Sequence, residues 1–340
     1  MTGPGPTRRA PRRTDRPDPA GVARIRPLGK AVIRDAPRTV GGMRQRLLAV
    51  IALASLLLGG CSVGDAPSRQ AIPSPTPAVS TLQKLAAVAP PPPLALPSGT
   101  VSASSQQVTY SRGGRTLRTV IWTPDGMSKA PAVLFSHGLN GSPEAFAPLL
   151  RTWAAAGFVV IAPAYPNTTR GTAKLDVYDV LNQPADASYV LGQVLSGPLG
   201  KRIDTGRIAA AGHSAGAITT VGLFTTGRDP RLRAGIIMAG SGLGVGTAFS
   251  GTPAALFFIH GNADPLVSYA SGKAAYDAVP WSKAMLTIEG GNHGDPYLTQ
   301  GSASYQTVTS STLAFLRLEL YGDQAARQTL EPTSDLDSHL

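Results

Sequence analysis

The chain has 340 residues, a formal net charge of +11 and a single cysteine. One cysteine excludes an intramolecular disulfide framework and a cysteine-clustered zinc site. The charge does not indicate nucleic-acid binding, because residues 1–46 carry 12 Lys or Arg against 3 Asp or Glu, whereas the other 294 residues carry 19 against 17. The rest of the chain has no basic stripe for a phosphate backbone.

The N-terminal residues have the composition of a targeting segment. Residues 1–42 are rich in Arg and Pro without a hydrophobic pattern, so we expect a disordered extension and a translation start at Met43. Residues 43–61 follow as a signal peptide: a short basic region, then an apolar run, Leu47 to Leu58. This run is too short for the roughly 20 residues that a membrane span needs.

The signal peptide ends in Leu58-Gly59-Gly60-Cys61, which resembles a bacterial lipobox. In such a motif the cysteine receives the lipid, so we expect Cys61 to anchor the protein to the cell membrane on its extracytoplasmic face. An ordinary secretory signal with an incidental cysteine, or a short anchor helix, is the alternative.

Aromatic residues delimit the folded domain. All 20 lie between Tyr110 and Tyr321, and residues 62–106 are instead rich in Pro, Ser and Ala. Large aromatic side chains dominate core burial, so the sequence predicts a linker over 62–106, one domain over 107–322 and a flexible tail over 323–340. We expect a monomer.

From residue 107 onward, apolar strand patterns alternate with helical spacing. Strands are predicted over Gln107–Ser111, Arg115–Thr123, Ala132–Ser136, Phe158–Ala162, Arg207–Ala211, Ala234–Ala239, Ala254–Ile259 and Ala284–Ile288. Helices are predicted over Pro143–Ala156, 184–196, Ala215–Thr225, 269–278 and Ser302–Tyr321. Such alternation predicts an α/β fold with a mostly parallel central sheet and helices on both faces. The ligand site of such a sheet lies at the carboxyl ends of its strands.

One predicted strand runs directly into Gly212-His213-Ser214-Ala215-Gly216, and a helix follows. This is a GxSxG nucleophile elbow in its strand–turn–helix context, which predicts Ser214 as the nucleophile. A tight structural turn with an incidental serine is the alternative.

A serine nucleophile needs a histidine base and an acid that orients it. His293 lies in a loop between the last strand and the last helix, whereas His260 ends a strand and His339 lies in the polar tail, so His293 is the predicted base. Asp264 is the predicted acid. Asp295 competes for that role, but it lies only two residues from His293, and we prefer a turn or helix-capping role for it.

The tetrahedral intermediate of acyl transfer requires two preorganised N–H donors. We predict the backbone amides of Ala215, directly after the nucleophile, and of Leu139, in the loop after the third strand; Asn140 is the neighbouring alternative to Leu139.

Three histidines fall at strand carboxyl ends, which raises the question of a metal. They are His137, His213 and His260. No acidic or cysteine ligand accompanies them at close spacing, so we expect no metal and predict structural roles beneath the site.

The motifs together resemble those of an α/β-hydrolase. They are His137-Gly138-Leu139-Asn140-Gly141, Gly157-Phe158-Val159-Val160, the elbow, His260-Gly261-Asn262-Ala263-Asp264 and Gly291-Asn292-His293. The resemblance is to the branch of dienelactone-hydrolase-like esterases, chlorophyllase, platelet-activating-factor acetylhydrolase relatives and cutinase-type polyesterases. It implies the α/β-hydrolase fold and a serine carboxylic-ester hydrolase without a cofactor.

The chain departs from this branch in ways that narrow the expected substrate. True dienelactone hydrolases use a cysteine nucleophile, and the secreted polyesterases carry a disulfide and an aromatic clamp that this chain lacks. A small or medium ester, acyl-lipids included, is therefore expected rather than bulk polyester. Phe146, Tyr165 and Leu243 are candidates for an acyl pocket, with core or loop packing as the alternative.

Two other functions remain compatible with the sequence. The same triad serves peptidases and amidases, and a surface lipoprotein could use a hydrolase scaffold only to bind a ligand. A binding module has no need for all three triad residues, which favours the enzyme.

Overall fold

The structure is a computed structural model that describes residues 85–340 together with Met1 and Gly3. The predicted signal peptide and Cys61 lie outside the described residues. The chain divides into two units, Met1–Ser62 and Val63–Leu340, and the fold belongs to the second.

Within the described residues, nine strands form one sheet in the order β1-β2-β4-β3-β5-β6-β7-β8-β9. The strands are β1 (Ala103–Arg112), β2 (Arg115–Pro124), β3 (Ala130–Ser136), β4 (Val159–Ala164), β5 (Ile203–His213), β6 (Leu232–Met238), β7 (Ala255–Gly261), β8 (Lys283–Ile288) and β9 (Leu336–His339). Three neighbouring pairs are antiparallel: β1 with β2, β2 with β4, and β8 with β9. The strands between them, in the sheet order β4-β3-β5-β6-β7-β8, are all parallel.

Helices cover both faces of this sheet. They are α1 (Ala147–Ala155), α2 (Gln183–Ser196), α3 (Ala215–Gly222), α4 (Tyr269–Asp277), α5 (Asp295–Leu298) and α6 (Ala303–Leu316). The structure also has 3-10 turns at Pro143–Phe146, Val177–Asn182, Pro198–Arg202 and Gln324–Leu330 and a π-turn at Arg317–Tyr321. The arrangement confirms the predicted fold class.

Burial explains why the central strands are apolar throughout. All six residues of β4 are buried, as expected for a strand covered on both faces. Hydrophobic side chains divide into two clusters, one containing Leu134 and Ile161, the other Val133 and Val160. Alternate residues of a strand point to opposite faces, so the sheet carries a core on each side.

The strand register aligns the carboxyl ends of the parallel strands at one edge. Ser136 of β3 pairs with Gly212 of β5, and His213 pairs with Met238 of β6. Gly261 of β7 pairs with Ile288 of β8. The loops that carry the predicted site residues therefore leave the sheet at the same edge.

Residues 85–102, which the sequence predicts to belong to a linker, lie against the domain as a strap. The Arg233 side chain donates a hydrogen bond to the Ala89 carbonyl (2.9 Å), and the Arg207 side chain donates to the Pro92 carbonyl (2.7 Å). Ala86 forms a parallel bridge with Trp281. The ordered domain thus begins before residue 107, because side chains at the amino ends of the strands bind the strap.

The C-terminal residues also differ from the expected flexible tail. β9 adds to the edge of β8 with His339 opposite Lys283, and the preceding 3-10 turn buries Leu330. Leu336 of β9 is buried as well. Two apolar side chains and a strand ladder attach this polar segment to the sheet.

Among the helices of the described residues, none combines the length and apolar composition needed to cross a membrane.

Candidate active site

Ser214 lies at the junction between β5 and α3, in a strained backbone conformation. Its φ of 56° and ψ of −120° are unusual for a residue with a side chain. The turn is possible because the flanking residues lack a Cβ: a Cβ at Gly212 would overlap the Gly216 carbonyl, and one at Gly216 would overlap the Ser136 carbonyl. The Ser214 side chain is consequently presented above the sheet edge.

His293 and Asp264 form a hydrogen-bond chain with Ser214. The His293 Nε2 lies 2.8 Å from the Ser214 Oγ, and the His293 Nδ1 lies 2.7 Å from the Asp264 Oδ2. Ser214 follows β5, Asp264 belongs to the loop after β7 and His293 to the loop after β8, so the carboxyl ends of three parallel strands bring the three side chains together. The structure therefore juxtaposes the three residues predicted as a triad.

The Asp264 carboxylate is buried yet fully provided with donors. Its Oδ1 accepts hydrogen bonds from the backbone N–H groups of Leu266 (2.8 Å) and Val267 (3.0 Å). Burial alone would raise the pKa of Asp264, but hydrogen bonds from His260 and His293 outweigh it and hold the pKa far below its usual range. Asp264 thus remains a carboxylate that can stabilise a protonated imidazole.

Asp295, the competing acid, has other partners. Its Oδ2 accepts from the Asn292 side chain (2.6 Å) and its Oδ1 accepts from the Thr299 hydroxyl (3.0 Å). It occupies the first position of α5, where the helix dipole stabilises a negatively charged side chain. Its contacts are those of a turn and helix-terminus residue.

His213, the residue before Ser214, supports the His293 loop from below. Its Nε2–H donates to the His293 carbonyl (2.7 Å), and its ring lies 4.9 Å from the His293 ring and 4.8 Å from that of Tyr297. Burial lowers the pKa of His213 to about 3, so its imidazole is neutral. The sequence predicts a structural role here without indicating which loop is supported.

His260 supports the acid in a similar way. Its Nε2–H donates to the Val267 carbonyl (2.9 Å) and lies 3.4 Å from the Asp264 Oδ2. His260, at the end of β7, therefore contacts both the Asp264 carboxylate and the backbone of Val267, three residues later in the same loop.

The loop after β3 lies directly against the nucleophile. The position of a Cβ at Gly138 would be 3.2 Å from the Ser214 Cβ, which shows how closely this backbone approaches. The Asn140 N–H donates to the Thr168 carbonyl (2.7 Å), so this amide already has a partner. Of the two donors considered for the oxyanion, Leu139 is therefore favoured over Asn140.

His137 holds the start of this loop. Its Nδ1–H donates to the Gly138 carbonyl (2.8 Å), and its Nε2 lies 3.0 Å from the Thr169 Oγ1. Burial lowers the pKa of His137 to about 4. In residues 85–340, no group of three His, Cys, Asp or Glu side chains is placed to hold a metal ion.

The three candidate pocket residues lie in different surroundings. Phe146 is buried, with its ring 5.4 Å from that of His213. Tyr165 is fully buried, and its hydroxyl lies 2.7 Å from the Ser136 hydroxyl. Leu243, in the loop after β6, is 57% exposed. An acyl-pocket role for these residues stays a prediction.

The sequence matches the chlorophyllase family model over residues 96–243, less than half of the chain. The matched range contains Leu139, Ser214 and Ala215 and ends before Asp264 and His293. No curated protein matches the chain. The chlorophyllase family implies a hydrolase that acts on esters. Together, the match and the large sheet flanked by helices support membership of the α/β-hydrolase superfamily.

Proposed function

We propose that the protein is a serine hydrolase that cleaves carboxylic esters through an acyl-enzyme intermediate. The observation that carries this proposal is the hydrogen-bond chain from Ser214 through His293 to Asp264, with Ser214 in the strained turn of an elbow. Such a chain activates a hydroxyl that is otherwise a weak nucleophile.

Acylation follows from the direction of these hydrogen bonds. With Nδ1–H donating to Asp264, the His293 Nε2 is free to take the Ser214 proton as Oγ attacks the ester carbonyl. The resulting oxyanion is bound by the N–H groups of Leu139 and Ala215. The protonated His293, stabilised by the Asp264 carboxylate, then gives its proton to the leaving alcohol, and the acyl group remains on Ser214.

Deacylation repeats these steps with water. His293 removes a proton from a water molecule that attacks the acyl carbonyl, and the same two amides hold the second oxyanion. Collapse of this intermediate returns the proton to Ser214 and releases the acid. No cofactor enters either half of the reaction.

Apolar side chains near this edge of the sheet support a substrate with an apolar acyl group. Leu243 is 57% exposed, and in the 3-10 turn before α2 Leu181 is 50% exposed and Tyr178 is 69% exposed. The Leu181 side chain packs over Gly244, next to Leu243. The Ser214 N–H donates to the Met238 carbonyl, so this loop starts beside the nucleophile. We propose small or medium esters, acyl-lipids included, as the substrate class.

The test is covalent labelling combined with turnover. Wild-type protein should react with a fluorophosphonate probe and hydrolyse p-nitrophenyl esters in preference to matched anilides. Ser214→Ala should lose both properties. Ser302→Ala, which removes a helix cap on α6 instead, should retain them. Equal labelling of Ser214→Ala and wild type would refute the assignment of the nucleophile, and preferred turnover of anilides would make the protein an amidase.

We propose further that the protein is lipid-anchored through Cys61 at the extracytoplasmic face of the cell membrane. The lipobox-like sequence before Cys61 supports this. Mass spectrometry of membrane-extracted protein should find a new N-terminus at a diacylated Cys61. Mature protein that still carries residues 43–60 would refute it.

A further inference from the structure

Gln183, the first residue of α2, joins two elements that flank the nucleophile. Its Oε1 accepts a hydrogen bond from the Thr219 hydroxyl (2.6 Å), and its Nε2–H donates to the Thr168 Oγ1 (2.7 Å). All three residues are fully buried. A buried carboxamide that is paired at both ends is held in one orientation, because losing either bond would leave a polar group without a partner.

We call the two hydrogen bonds of Gln183, to Thr219 and to Thr168, the Gln183 junction. Its Thr219 side is connected to one predicted oxyanion donor. Thr219 lies on α3, one turn after Ala215, and its hydroxyl also lies 3.0 Å from the Ala215 carbonyl. Ala215 follows Ser214 directly, so Gln183 is linked to the first turn of the helix that begins at the nucleophile.

The Thr168 end leads to the other predicted donor. The Thr168 carbonyl accepts from the Asn140 N–H (2.7 Å), the residue after Leu139. The Arg170 N–H donates to the Gly141 carbonyl (2.8 Å), and Gly141 forms a parallel bridge with Thr169. Residues 168–170 therefore hold the loop of Leu139, and Gln183 attaches these residues to α3.

We propose that Gln183 is a positioning residue that sets the separation between the N–H groups of Leu139 and Ala215. This inference rests on the proposed ester hydrolysis at Ser214. Oxyanion binding depends on donors that are already in place when charge develops, and a displacement of about 1 Å in such a site can cost about 10²-fold in rate. Gln183 touches neither Ser214 nor the reacting atoms; it acts through the two elements that carry the donors.

The experiment compares variants that remove the junction with variants that keep it. Gln183→Met and Thr219→Val preserve side-chain size but lose the hydrogen bond between the two residues, whereas Thr219→Ser keeps the hydroxyl. Thr312→Val is the matched control: Thr312 is a fully buried helical threonine on α6 whose hydroxyl accepts from the Trp153 Nε1–H (3.2 Å) and donates to the Val308 carbonyl (2.7 Å), away from the site.

The readouts are kcat, KM, the pH profile of kcat and the melting temperature, measured with a soluble p-nitrophenyl ester well below the melting temperature. We expect kcat to fall about 10- to 100-fold in Gln183→Met and Thr219→Val. KM and the shape of the pH profile should stay unchanged, because the Asp264–His293 pair is untouched. Thr219→Ser should recover most of kcat, and Thr312→Val should lose stability alone.

Wild-type kcat in Gln183→Met or Thr219→Val would overturn the positioning role, as would a loss limited to melting temperature like that of Thr312→Val. If Gln183→Met does not fold, Thr219→Val decides alone. Failure of the proposed function looks different: Ser214→Ala would then hydrolyse the ester as well as wild type.

Discussion

Replacing Asp264 by Asn is the most direct test of how the acid works. The Asp264 Oδ1 accepts from two backbone N–H groups, of Leu266 and Val267, and the Oδ2 accepts from the His293 Nδ1–H and lies 3.4 Å from the His260 Nε2. An amide has a single oxygen. Keeping that oxygen on the two backbone groups preserves two bonds, and this turns the new NH₂ group toward His293. His293 must then carry its proton on Nε2, where it can no longer accept the proton of Ser214.

The size of the effect follows from this change of tautomer and from the lost negative charge. In other triads the same substitution lowers kcat by about 10⁴. Here we expect a fall of about 10³- to 10⁴-fold in Asp264→Asn, equivalent to about 4 to 5.5 kcal/mol of transition-state stabilisation. The fold should persist, since the two backbone bonds survive.

The assay is kcat/KM on a short-chain p-nitrophenyl ester, with circular dichroism to verify folding. Asp295→Asn is the control, because Asp295 contacts Asn292 and Thr299 rather than His293. It should stay within about tenfold of wild type, because its charge acts only at a helix terminus. A folded Asp264→Asn that stays near wild-type activity, or an Asp295→Asn that is the slower of the two, would refute the assignment.

Three more predictions concern cooperation, acid sensitivity and the C-terminal strand. Ser214→Ala, His293→Ala and the double variant should have nearly equal residual rates in the ester assay, since nucleophile and base act in one step; a much slower double variant would contradict this. Buried His137, whose pKa is lowered to about 4, stays neutral in the native state while the unfolded chain binds protons below about pH 6.5. The stability that neutral His137 contributes is complete above that pH and is lost as the pH falls toward 4. Between pH 7 and pH 5, the free energy of unfolding measured in urea should therefore fall by about 2 kcal/mol more in wild type than in His137→Asn. Equal decreases in the two proteins would refute this prediction. Deleting residues 331–340 removes β9 and the buried Leu336. Calorimetry should then show that the free energy of unfolding falls by at least about 2 kcal/mol. An unchanged melting temperature would show that β9 adds nothing to the stability of the domain.

Regular patterns explain what could be predicted from the sequence. β4 reads as a continuous apolar run because both faces are covered, and its predicted and observed ranges nearly coincide. Ser214 could be located because an elbow needs small residues on both sides of the nucleophile. These residues are neighbours in the sequence, so the pattern is visible without knowledge of the fold. The order of the remaining histidines and acids then sufficed to select His293 and Asp264, which the structure places beside it.

The parts that could not be predicted depend on contacts between distant residues. The strap is rich in proline and has no periodicity; its position comes from Arg207 and Arg233, more than a hundred residues away. Gln183 reads as an ordinary polar residue at a helix start, and only the fold shows that its partners are Thr168 and Thr219. A single sequence carries no signal for such pairings.

The strap and β9 bring both ends of the described domain to the same corner. Ala86 bridges Trp281, and His339 pairs with Lys283, two residues further along the chain. This corner is at the amino end of β8, whereas Ser214 and its partners lie at the opposite, carboxyl edge of the sheet. The described chain at Leu85 and a tag fused after Leu340 therefore start about one strand length away from the nucleophile.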